Sequence, residues 1–103
     1  MTTIDKAALL AERFGVHDVE IAGVGTVQVR PLSRAEALAL QGRELDAAHM
    51  ERHLLALAMV APKLTEDEVG TWQANSPAGE LEPVADKILT ISGMKKEAAK
   101  SGV

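Results

Sequence analysis

The residues of this chain whose types and spacing could do chemistry are few, and the stretch His49-Met-Glu-Arg-His53 comes first. Two histidines four apart lie on one side of a helix, where both imidazoles can reach one metal ion. The zinc-protease pattern adds a glutamate directly after the first histidine. Here Glu51 comes second, on a different face from both rings, and His17 lies in a distant segment. The spacing reads as a solvated helix edge, and neither a metal nor another cofactor is expected. Gly23-Val-Gly25 has the look of a phosphate cradle, but such a loop must open a helix whose N-terminus faces the anion. This one opens a run of alternating apolar residues and reads as a hairpin turn.

The remaining polar residues argue against other activities. Net charge is −4, which disfavours binding to phosphate backbones. Leu64-Thr-Glu-Asp-Glu-Val69 resembles the start of many DNA-binding helices, yet no Lys or Arg occurs from Leu64 to Pro77. A recognition helix needs such side chains at bases and phosphates, so no nucleic-acid partner is expected. The carboxylates are scattered among caps and polar faces, with no pair spaced for acid–base work. Cysteine is absent, which excludes thiolate chemistry and disulfides and fits a reducing cytoplasm. An enzyme is not expected.

The elements that position these residues centre on one apolar run, Leu54-Leu-Ala-Leu-Ala-Met-Val-Ala61, followed by Pro62. Residues 45–60 read as one helix that Pro62 ends, because proline lacks an N–H and biases the preceding residue away from helical angles. Ala47, Met50, Leu54, Leu57, Ala58 and Ala61 form one apolar stripe. Leu45, Ala48, Leu55 and Met59 form a second, roughly opposite, interrupted by Arg52. Two stripes imply a helix enclosed on both sides or shared with a partner.

Before it, residues 4–14 suit a short helix, with Thr2 or Thr3 at its start, Leu10 and Phe14 a turn apart, and Gly15 terminating it. Val19, Ile21, Val27 and Val29 alternate with polar residues across the Gly23–Gly25 turn, as a hairpin requires. Ser33-Arg-Ala-Glu36 and Thr65 with Glu68 give two capping boxes, each opening a helix. Gly42 breaks the first of these before the central helix. Trp72 lies on the second. Leu81, Val84, Ala85, Ile88 and Ile91 share one face of a last helix, with Pro83 in its first turn and Gly93 as C-cap. The expected fold is mainly α: one small domain over residues 1–94, with one N-terminal β-hairpin at about residues 18–30 followed by about four helices. Residues 95–103 are expected to be a flexible tail.

At 103 residues the chain can form one domain, with a core built from Ala, Leu, Val, Ile and Met, since Phe14 and Trp72 are its only aromatics. Such a core suggests modest stability alone and a tendency to assemble. The apolar run of eight residues is far short of the ~20 of a membrane span, so no membrane is expected. The first residues lack the basic and apolar regions of a signal peptide.

The layout resembles the small tail assembly chaperones of long-tailed bacteriophages, particularly those infecting actinobacteria. The residues that carry it are Val19-Glu-Ile-Ala-Gly-Val-Gly-Thr-Val-Gln-Val-Arg-Pro-Leu-Ser-Arg-Ala-Glu36, a hairpin running into a capped helix. Val60-Ala-Pro-Lys-Leu-Thr-Glu-Asp-Glu-Val69 and Ile88-Leu-Thr-Ile-Ser-Gly-Met94 continue it, in an order and spacing that cover most of residues 16–94. The resemblance implies an interaction protein of the host cytoplasm that binds and solubilises the tape measure protein. It further implies recruitment of tail tube protein, assembly as a homo-oligomer or around the client, and absence from the mature virion. A longer form made by frameshifting near Lys95-Lys96 belongs to the same expectation. The alternative is a structural tail or head–tail completion protein retained in the particle. The residues expected to meet the client are the second stripe, Leu45, Ala48, Leu55 and Met59, with Val69 and Trp72.

Overall fold

The computed structural model describes residues 3–94; the expected tail at 95–103, with Lys95-Lys96, and any role of Thr2 lie outside the described residues. The elements run α1 (Lys6–Leu10), β1 (His17–Ile21), β2 (Gly25–Val29), α2 (Arg34–Gln41), α3 (Ala47–Ala58), β3 (Met59–Ala61), α4 (Glu66–Asn75) and α5 (Glu82–Ile91). The domain is α-rich, as the periodicity implies, and carries a small antiparallel sheet of order β1-β2-β3.

β1 and β2 form the expected hairpin, with Val19 opposite Val27 and His17 opposite Val29. Ile21, Val27 and Val29 turn into the core while Asp18, Glu20 and Gln28 face out. That is the period-two signature of a half-buried strand. The turn closes with the Val24 N–H donating to the Ile21 carbonyl at 3.0 Å. Gly23 and Gly25 stand at φ 79° and 145°, which a side chain would resist.

The central run differs from expectation. The helix expected to reach Val60 ends at Ala58, and Met59–Ala61 form a third strand, so the hairpin is part of a three-stranded sheet. The cause is β2, whose second edge would otherwise leave backbone groups without partners. Met59 pairs with Val29 and Ala61 with Gln28, across an irregularity in the ladder. The Arg30 N–H donates to the Ala58 carbonyl at 2.9 Å, joining helix end to sheet. Met59 is then buried and Val60 exposed, as a strand demands. The Ala61–Pro62 peptide bond is cis.

The caps follow the sequence closely. Ser33 and Glu36 bond reciprocally at the start of α2, as do Thr65 and Glu68 at α4. Gly42 is the C-cap of α2. α3 begins two residues later than expected, because the Asp46 carboxylate accepts the His49 N–H at 2.8 Å and takes the N-cap. Leu45 is therefore outside the helix. Pro83 sits in the first turn of α5, and Gly93 follows its end at φ 78°.

The first helix is the second departure. Only Lys6–Leu10 are helical, and Asp5 occupies the N-cap without a side-chain bond, so Thr3 does not cap it. None of the five residues is buried. Without a face to pack, a helix this short has little to hold it. Ala11 turns extended, and the Arg13 guanidinium donates to the carbonyls of Ala8, Leu9 and Ala11 at 2.8–3.0 Å.

One core results. Leu54, Leu55 and Ala58 of α3 join Val27 and Val29 of the sheet, Val69 of α4, and Val84 and Ile88 of α5. α3 packs against both α4 and α5, burying Leu54, Leu55 and Ala58 while its first turn, Ala47 to His49, stays exposed.

Candidate interaction surface

The six residues expected to meet a client are not gathered on one free surface. Leu55 and Val69 are 0 % exposed and Met59 1 %, all within the core. Leu45 is half-buried in the linker before α3, and Ala48 is exposed. Trp72 is half-buried against the core, its indole N–H donating to Glu80 Oε2 at 2.8 Å. The Ser76 hydroxyl donates to the Trp72 carbonyl at 2.6 Å. Trp72 thus closes the α4–α5 connection, and of the second stripe Leu55 and Met59 are covered by the chain's own sheet and helices.

The histidines are held separately rather than as one plain edge. His49 Nδ1 lies 2.8 Å from Asp46 Oδ1, on the same turn. Asp46 ionises below its ordinary value, first because the His49 backbone N–H donates to it and then through the His49 ring. His53 is more covered, with Nδ1 3.1 Å from Glu66 Oε2 and 3.2 Å from Arg43 Nη1. Among the described residues no group of three or more His, Asp or Glu side chains comes together as a metal site. No helix among them is long and apolar enough to cross a membrane.

The polar centre of the molecule is Arg30, which the sequence did not single out. Its guanidinium makes a two-pronged pair with Glu36, Nη1 to Oε1 at 2.9 Å and Nη2 to Oε2 at 2.8 Å. It also donates to the carbonyls of Pro31 and Leu57, at 3.0 and 3.2 Å. Glu36 Oε1 accepts the Ser33 N–H at 2.9 Å, so one carboxylate serves both capping box and ion pair. The Arg30 hydrogen bond, with Ser33's and against the cost of burial, lowers the Glu36 pKa from 4.5 to about 2. Arg30 is raised in turn by Glu36. On its other side the guanidinium stands 5.5 Å from the centre of the Phe14 ring, within the range of a cation–π contact.

That contact fastens residues 3–16, referred to below as the arm, to the body. Open grooves flank Phe14 on both sides: one reaches Val16, Arg30 and Val60, the other Leu10, Leu32 and Ile91. The arm carries Ile4, Leu9, Leu10 and Val16, which are 60, 57, 73 and 54 % exposed. Among the described residues, Leu38 of α2 and Val60 of β3 are the other exposed large apolar residues outside the hairpin turn, where Val24 lies. Single exposed apolar residues are ordinary, but four within 13 positions of one poorly packed segment form a surface that water covers badly. No sequence signal marked this, because in the expected helix over residues 4–14 Asp5, Lys6, Glu12 and Arg13 supply an ordinary polar face.

The chain matches no protein-family model, no curated protein and no solved structure.

Proposed function

We propose that this protein is a non-catalytic tail assembly chaperone of a long-tailed bacteriophage, which binds an apolar helical client, the tape measure protein, and helps bring tail tube protein to it. Two things support this reading: the order of hairpin, capped helix and apolar central segment over residues 16–94, and the exposed leucines of the arm. The second carries it furthest. A segment with Ile4, Leu9 and Leu10 in water gains by covering them, and an amphipathic client helix supplies the cover through its own apolar face. At about 25 cal/mol per Å², burial of each such side chain contributes on the order of 1.5–3 kcal/mol. Several copies along a long client add avidity to contacts that are individually weak.

The client then lies on the arm, with Val60 of the groove beside Phe14 as a neighbour, instead of on Leu55, Met59 and Val69. The chaperone acts in the host cytoplasm and leaves before the virion is complete. Co-expression tests it: the tape measure protein should stay in the supernatant with this protein and precipitate without it. A client that is equally soluble alone contradicts the proposal. Mass spectrometry of purified particles distinguishes the alternative, since a structural tail protein would be present in stoichiometric amount.

A further inference from the structure

A single ring nitrogen in this molecule faces two partners it cannot serve together. His53 Nδ1 lies 3.2 Å from Arg43 Nη1 and 3.1 Å from Glu66 Oε2. Arginine only donates and an ionised carboxylate only accepts. With a lone pair on Nδ1 the ring accepts from Arg43 and opposes Glu66. With a proton there it donates to Glu66 and opposes Arg43. The side chain of His53 is 21 % exposed, so water does not fully relieve the mismatch.

The three residues belong to three parts of the fold. Arg43 follows the C-cap of α2 in the linker to α3, His53 is in the middle of α3, and Glu66 is the first residue of α4. The other ionisable groups nearby are otherwise engaged. His49, one turn earlier on α3, is held by Asp46, and the Lys63 ammonium donates to the carbonyls of Ala56 and Leu57 at 2.7 and 3.4 Å. Arg52 and Glu51, flanking on α3, both bond Gln73 of α4.

We propose that His53 is a proton-operated selector between two ties. Neutral, with its proton on Nε2, the ring holds Arg43 and so the end of α2 against α3. Protonated, it releases Arg43 and holds the first turn of α4 through Glu66. Mild acid therefore loosens the α2–α3 linker while strengthening the α3–α4 contact.

Double-mutant cycles built from Arg43→Ala, His53→Ala and Glu66→Ala, measured by urea unfolding at about pH 8 and about pH 5.5, separate the two ties. The Arg43–His53 coupling should favour folding at the higher pH by about two- to five-fold in the unfolding equilibrium, the range of exposed ion pairs, and vanish or reverse at the lower. The His53–Glu66 coupling should be larger at the lower pH. His53→Gln, which keeps a neutral polar side chain, should abolish the pH dependence of both cycles. Couplings that are equal at the two pH values, or absent at both, overturn the selector.

Discussion

Arg30 and Glu36 show how one ion pair can serve three elements. The carboxylate is already committed to the Ser33 N–H, so the pair is fixed without ordering two free side chains, the cost that makes most surface pairs weak. Glu36 ionises at about 2 in the folded chain against an ordinary 4.5. Its contribution is therefore complete above about pH 5 and is lost as pH falls through about 2. Discounted for solvent screening, that contribution is about 1–2 kcal/mol. Glu36→Gln should lower stability by this amount at pH 7 and flatten the acid limb of an unfolding profile between pH 5 and 2. A parallel profile would mean the pair is absent in solution. Ser33→Ala should cost about 0.5–2 kcal/mol through the lost cap, read as a shifted denaturation midpoint. The two caps were legible because three residues of local spacing define them. Arg30 was not, since its partners Phe14 and Leu57 come from segments far off in sequence.

The central apolar run marks where local reading gave out. An uninterrupted apolar stretch does not reveal whether it repeats every 3.6 residues or every two. Leu54–Ala58 follow the first period and Met59–Ala61 the second. The change is imposed by β2, whose open edge lies 30 residues earlier in the chain, so nothing beside Met59 announces it. The hairpin and the four later helices were legible, because each carries alternation, a cap or a proline at its boundary. The two stripes are not kept whole: Leu45 lies before the helix, Ala47 and Ala48 are exposed, and Met59 and Ala61 belong to β3, so the helix buries only Leu54, Leu55 and Ala58. Leu55→Ala should cost about 2–5 kcal/mol, as a buried truncation does. Met59→Glu puts a charge where 1 % of the residue reaches water and should destabilise by about 3 kcal/mol or more. Val60→Lys, on the exposed side of the same strand, should change stability by less than about 0.5 kcal/mol. Urea unfolding followed by circular dichroism distinguishes these three. A Met59→Glu protein as stable as wild type would mean that residues 59–61 do not join the sheet.

For the whole molecule, the question is which apolar surface remains once the core is closed. Leu54, Leu55, Met59 and Val69 are consumed by folding, and Trp72 has its N–H satisfied within the chain. What is left among the described residues is Val24, Leu38, Val60 and the arm, which is joined to the body at Phe14 and Arg30 and carries its leucines into water. The spacing of Leu10 and Phe14, with Gly15 after them, suits a short helix over residues 4–14. Asp5, Lys6, Glu12 and Arg13 would give such a helix its polar face, yet only Lys6–Leu10 are helical and none of them is buried. Leu9→Asp with Leu10→Asp replaces two exposed leucines of the arm without touching a buried residue, so the circular dichroism and unfolding midpoint should hold. The most direct measurement is the amount of tape measure protein that co-purifies with this double variant compared with wild type. Recovery should fall at least about ten-fold, the equivalent of 1.4 kcal/mol. A double variant that holds the client as well as wild type does would contradict the assignment of the arm as the client-binding surface.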